Sequence, residues 1–351
     1  MPISEQARAV LNDPGRVRER EAWLRTLTNL FEGKRDPYLD SRAFTLMGMA
    51  GRAPDPEMVY RDPEASVDAC LEDLARQAAA APAADRFAPL CVEYPIYGVH
   101  FIDRILGADV FFQDGQWYAR CLETPVGTLR APDLDADETW AMARRGARAF
   151  LSAGVTAPLF GMPTLSSALN TLVNIYGEGA LTAMLAEPEA AAHDLRVIND
   201  LIIALHRWYR DALPARQLQA VISWCRTQPP GCGQLCGCTT QLVSAQLYAE
   251  MVAPLDDALL SAYPNGGMMH LCGRHTQHLE AFRGMASLRA VQLNDRAAWD
   301  LQAYFEGLRE DQLLYVNPCP EMPVEEILRV TGGRRAVICQ DMDAPRLGKG
   351  G

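Results

Sequence analysis

Apolar residues along this chain keep two rhythms that take turns. Positions three and four apart mark helices over 137–152, ALNTLVNIYGEGALTAML, PEAAAHDLRVINDLIIALHRWYRDAL, SAQLYAEMVAPLDDALLSAY, TQHLEAFRGM, AWDLQAYFEGL and VEEILRVTG. Between them, VTAPLFGM, QAVISW, GGMMHLC, LRAVQLN, QLLYVNP and RRAVICQ are short apolar runs that read as strands. Strands alternating with helices at this spacing predict βα units and a parallel sheet. No G-x-G-x-x-G follows an early strand, so a closed (β/α)8 TIM barrel fits better than an open dinucleotide-binding sheet. Upstream, 1–30 reads as a polar amphipathic helix and 65–80 as a second helix. ADVFFQDG and QWYARCLE form a predicted hairpin about Asp114-Gly115. The expected organisation is a helical extension over 1–84 packed on a barrel over 85–351.

Composition narrows the partners. The chain has 351 residues, of which 49% are hydrophobic, enough for one large barrel. Its formal net charge is −11 with no basic block, which disfavours nucleic acid and anionic membrane surfaces. No apolar run approaches the roughly 18–20 residues of a membrane span. The start, MPISEQARAVLNDPGRVRERE, lacks the apolar core of a signal peptide, and a cytoplasmic location is expected. In a reducing compartment the 10 cysteines are free thiols or metal ligands rather than disulfides.

Three stretches carry candidate chemistry. In GGMMHLCGRH, His270 and Cys272 are two apart on a strand and therefore share a face. At the C-terminal end of a barrel strand that face is the mouth, where imidazole and thiolate suit zinc. Cys339 ends the last strand at the same mouth and completes a His-Cys-Cys set with one open position; Cys319 in VNPCPEMP competes for that place. The bland alternative is a small buried cysteine beside a satisfied core histidine. The second stretch, GCGQLCGC, holds Cys232, Cys236 and Cys238, with Cys225 upstream. It reads either as a cluster site or, preferably, as a glycine-rich loop at the mouth, with Cys236 and Cys238 lining a substrate pocket. The third, CVEYPIYGVH, places Glu93, Tyr94 and Tyr97 as candidate catalytic groups and His100 as a substrate contact, with Tyr176 added from NIYGEG; against this, tyrosines of this kind often pack in cores. His275 and His278 are expected on an exposed helical surface.

GGMMHLCGRHTQHLEAFRGMASLRAVQLND resembles a stretch typical of the uroporphyrinogen-decarboxylase superfamily, where a strand ending H-x-C-G precedes a helix and the next barrel strand. QLVSAQLYAEMVAPLDDALL is similar to the superfamily's SPE-x-Y-x-E-x-x-x-P helix through Ser244, Tyr248 and Pro254. Glu187-Pro188-Glu189 stands where the family has a DPE turn. The resemblance covers roughly 85–342. The Arg-rich R-Q-A-G-R motif of true decarboxylases is absent, with VEYPIYGVH in its place. The likeness therefore leans to the methylcobamide:thiol methyltransferase branch, whose H-x-C…C zinc site matches His270, Cys272 and Cys339. Gly237 and Cys238 stand near the place of that family's usual acidic residue. The resemblance implies a zinc cofactor, a small thiol substrate, a corrinoid methyl donor carried by a partner protein, and a homodimer. A metal-free decarboxylase and a non-catalytic zinc or corrinoid-protein-binding module are the alternatives.

Overall fold

The structure is a computed structural model that describes residues 2–80, 86–219 and 224–340. Its strands are β1 (Phe44–Met47), β2 (Ala50–Gly51), β3 (Cys91–Glu93), β4 (Val110–Gln113), β5 (Gln116–Ala119), β6 (Leu159–Gly161), β7 (Leu218–Gln219), β8 (Gly233–Cys236), β9 (Gly267–Cys272), β10 (Leu288–Asn294), β11 (Leu313–Val316) and β12 (Ala336–Gln340). Two parallel sheets result, in the orders β1-β12-β11-β10-β9-β8 and β2-β3-β6-β7. The fold is mixed α/β of TIM-barrel-like type.

The two sheets join at one seam. β1 pairs with β12 on one side. On the other, the Met47 N–H donates to the Phe87 carbonyl (2.8 Å) and the Cys91 N–H to the Met49 carbonyl (3.1 Å). At the opposite seam no ladder joins β7 to β8 among the described residues. Two glutamines span the gap: the Gln228 N–H donates to Gln219 Oε1 (3.0 Å) and Gln228 Nε2 to the Gly233 carbonyl (2.9 Å). Most of the expected QAVISW strand, 220–223, lies outside the described residues.

Helix starts follow local chemistry. Asp13 caps Pro14–Phe31 by accepting from the Arg16 N–H, and Pro14 suits the first turn. That cap splits the single helix expected over 1–30 into Glu5–Leu11 and Pro14–Phe31. Asp137 likewise caps Glu138–Ser152. The hairpin forms as expected: Asp114 and Gly115 both have positive φ (50° and 80°), which a two-residue turn of this type demands. Two expectations change. The segment 1–84 is not helical throughout, because it supplies β1 to the main sheet. GQLC is not loop but β8, buried along its whole length against β9.

Alternation along the strands sorts the core into two clusters. Met269, Leu271, Val291, Leu293 and Ile338 face the surrounding helices. Phe44, Met268, Leu313, Tyr315, Val337 and Cys339 face inward, and Leu24, Leu27 and Phe31 join them. Arg289, at the start of β10, donates to the Phe31 carbonyl (2.8 Å), so the helix Pro14–Phe31 closes the N-terminal end of the strands. Chemistry is thereby left to the C-terminal end, where βα loops gather. No helix among the described residues is long and apolar enough to cross a membrane.

The helix after β8 carries a π-helical turn, Tyr248–Val252, just before Pro254, which has no N–H to continue the α ladder. Here the Tyr248 hydroxyl donates to Asp256 Oδ2 (2.8 Å), and complete burial raises the Asp256 carboxyl to about 7. A carboxyl raised in the folded state favours folding while protonated. Its stabilisation is full below the unfolded value near 4 and is lost as pH rises through about 7. Asp256→Asn should remove this dependence. Its melting temperature relative to the wild type should rise between pH 5 and pH 8, read by thermal unfolding at both; a difference that stays constant with pH would contradict the assignment.

Candidate metal site at the ends of β8 and β9

β9 brings His270 and Cys272 to its inner face, with Cys272 Sγ 2.9 Å from His270 Nε2. Gly273 follows at φ 86°, and a Cβ there would meet Gln241 Oε1 at 2.3 Å, so the turn requires glycine. β8 runs alongside with Cys236 level with His270. The Gly237 N–H donates to the His270 carbonyl (2.8 Å), and the next residue, Cys238, opens the short helix Cys238–Leu242. The ligand atoms of Cys238, His270 and Cys272 all lie within 4.8 Å of one another.

The histidine is oriented for ligation. Its Nδ1 is 2.6 Å from Gln292 Oε1 on the neighbouring strand β10. The Gln292 amide nitrogen is committed elsewhere: it donates to Asn317 Oδ1 (2.7 Å) and to Cys225 Sγ (3.7 Å). Gln292 therefore accepts, Nδ1 carries the proton, and Nε2 turns its lone pair to the two thiols. The thiols divide a proton unequally. The Cys238 thiol donating to Cys272 pulls Cys272 below the usual thiol value; the same hydrogen bond, with burial, raises Cys238. Asn294 adds a long contact to Cys272 Sγ (3.8 Å).

Cys339 is not in this group. The ladder explains why. Cys272 pairs with Asn294 and Ile338 with Val316, so Cys339 stands on nearly the same tier as Cys272. It is three strands away round the sheet, at about 4.8 Å per step. Its buried thiol donates to the Cys225 carbonyl (3.0 Å), and burial holds it well above the ordinary thiol value. Cys319 is also elsewhere, bridged to Met322. Cys238, expected to line a substrate pocket, occupies the third position. Cys236 stays beside it, with Arg226 Nη1 3.9 Å from its sulfur, while Cys232 points to the Asn265 carbonyl.

The remaining candidates scatter. Glu93 ends β3, half-buried. Tyr94 packs on the outside of the sheet: its hydroxyl donates to the Met142 carbonyl (3.3 Å), and a Cβ on Gly146 would meet its ring at 2.2 Å. That is a core role, and burial raises its hydroxyl. Tyr97, at φ 53°, sits in a ring cluster with Tyr60 and Trp117, each 5.0 Å away, and its N–H donates to the Tyr60 hydroxyl. His100 Nδ1 is 2.6 Å from buried Asp103, which also accepts from Asn174 (2.9 Å). Tyr176 ends its helix, and burial raises its hydroxyl to about 12. His275 and His278, expected on an exposed face, are 0% and 1% exposed.

Sequence reasoning passed over Gln292, although an amide inside the apolar strand LRAVQLN was a usable signal. It also missed Thr240 and Asn170, which act through the loop that bears Cys238 and leave no periodic trace.

The chain is similar in fold to a methyltransferase. The solved structure is a methyltransferase from Methanosarcina mazei, superposing over 93% of this chain and 94% of that one with a TM-score of 0.62 and 11% sequence identity. At that identity the likeness speaks for a common fold. No family model matches the sequence, and no curated protein matches it.

Proposed function

We propose that this chain is a zinc-dependent, methyltransferase-like enzyme of the uroporphyrinogen-decarboxylase kind, built as a closed β/α barrel. It activates a small thiol and receives the methyl group from a corrinoid carried by a partner protein. The observation that carries the reading is the convergence of Cys238, His270 and Cys272 with the His270 lone pair freed by Gln292. Two sulfurs and one imidazole nitrogen are a donor set that zinc favours, and three protein ligands leave a fourth position for substrate. Zinc bound there supplies a positive charge that keeps a substrate sulfur as thiolate at neutral pH.

The protein's own groups prepare this. Gln292 holds the His270 ring and its tautomer. Cys272 is already displaced toward thiolate, and only the shared proton at Cys238 must leave for both sulfurs to ligate. Asn294 beside Cys272 offers a neutral hydrogen-bond donor to its sulfur. A porphyrinogen substrate fits poorly, since many carboxylates need arginines to offset their desolvation and CVEYPIYGVHF has none.

Two measurements test the reading together. Protein purified without added zinc or chelator should contain about one zinc per chain. Adding a small thiol to that protein should release close to one proton, because a free thiol with a pKa of about 8.5 is mostly protonated at pH 7. Calorimetry in two buffers of different ionisation enthalpy counts the proton. Thiol methylation at full rate by metal-free protein would defeat the proposal.

A further inference from the structure

We propose that His275, acting with Thr240, is a positioning residue that clamps the loop bearing Cys238 onto the end of β9, so that ligands from two strands form one preset site. The inference rests on the metal-site reading and extends it to residues that touch no ligand atom.

The geometry is specific. His275 Nε2 lies 2.6 Å from the Cys272 carbonyl, and His275 Nδ1 lies 2.8 Å from the Thr240 hydroxyl. A carbonyl only accepts, so Nε2 carries the ring proton. Nδ1 is then an acceptor, and the single Thr240 hydroxyl proton is shared between it and the Gly237 carbonyl, 2.9 Å away. One imidazole thus touches the backbone of ligand Cys272 on one side and, on the other, the residue that folds the 237–240 turn around Cys238. The same turn is tied twice more. The Thr239 N–H donates to Asn170 Oδ1 (2.9 Å) on the helix Ala168–Tyr176, and His278 Nε2 lies 2.8 Å from the Thr240 carbonyl.

This arrangement answers a mechanical need. β8 is the end strand of its sheet and is only four residues long. Cys238 lies beyond its last residue, where no ladder holds it. Without cross-ties the Cys238 sulfur would sweep through several positions, and metal binding would have to order it. Prior ordering removes that cost, and losing an outer partner of a metal ligand typically weakens binding 10–100-fold.

The test uses the full chain. Zinc affinity is measured by chelator competition. The Cys238–Cys272 approach is measured in metal-free protein with dibromobimane, which bridges neighbouring thiols, the bridged peptides being mapped by mass spectrometry. His275→Ala should weaken zinc binding about 10–100-fold and sharply reduce the bridge. His275→Gln, which keeps a donor for the Cys272 carbonyl, should recover most of both. Thr240→Val, which keeps the shape and deletes only the hydroxyl, gives a second route if His275→Ala does not fold, and should lose part of each. His206→Gln changes an equally buried histidine in the helix Pro188–Ala212 and controls for general loosening; its zinc affinity should stay at the wild-type value. Wild-type affinity and wild-type bridging in both His275→Ala and Thr240→Val would overturn the clamp. Bridging that depends on His275 in a protein that binds no zinc would uphold the clamp and refute the metal reading.

Discussion

Cys238→Ser and Cys272→Ser should each strip the protein of most of its zinc, while Cys339→Ser and Cys319→Ser should not. Each of the first two deletes one of three donors that lie within 4.8 Å of one another. Loss of an outer partner already costs 10–100-fold, so loss of a ligand should weaken zinc binding by at least about 100-fold. Thiol-dependent turnover should fall with the metal. The fold should survive, since Cys238 and Cys272 are only partly buried, Cys272 at the end of β9 and Cys238 in the short helix after β8. Cys339→Ser keeps a donor for the Cys225 carbonyl at the cost of a less apolar atom in the buried core, with an expected stability change of about 1 kcal/mol. The readouts are zinc content per chain and thermal unfolding. Zinc lost from Cys339→Ser and retained by Cys238→Ser would exchange the two cysteines' roles and refute the arrangement described here.

Gly267→Ala should be among the most damaging small substitutions in the described residues. A Cβ at Gly267 would stand 2.2 Å from the Gly233 carbonyl oxygen, 2.6 Å from its carbon and 2.9 Å from its nitrogen. All three atoms are backbone, so no rotamer change relieves the overlap and β8 must move off β9. Overpacking of well-packed sites costs about 1–3 kcal/mol, and a backbone clash belongs at or above the top of that range. Displacing β8 also displaces Cys238, which follows it, so zinc binding should fall with stability. Gly179→Ala is the matched control. It lies exposed in the helix Glu178–Ala186 with nothing within 4 Å of a new Cβ, and should stabilise by roughly 0.5–1 kcal/mol. Chemical denaturation of the two variants reads the contrast; equal stabilities would show that the β8–β9 approach is looser than described.

Legibility varied with the range of the interaction concerned. The helix Glu138–Ser152, the Asp114-Gly115 hairpin and β9 through β12 were readable because caps, turn conformations and side-chain alternation are set by neighbours in the chain. β8 was not. GQLC is glycine-bearing and buried along its whole length, so it shows no alternation, and only its pairing with β9 makes it a strand. The exposure assigned to His275 and His278 failed for a related reason. The segment after β9 begins with the tight turn Thr276–His278 rather than an α-helix, and Thr240 from the short helix after β8 contacts both rings.

The candidate site divides along the same line. By itself the sequence determined that His270 and Cys272 share one face at the end of an apolar strand, because that follows from the two-residue repeat of a single strand. It also placed Cys339 on nearly the right tier, since tier is counted along a strand. Position round the sheet is different. It depends on which strands pair and in what register, and those pairings join residues far apart in the chain. Only the tertiary structure could therefore set Cys339 three strands from Cys272, bring Cys238 into its place, and turn Gln292 toward His270.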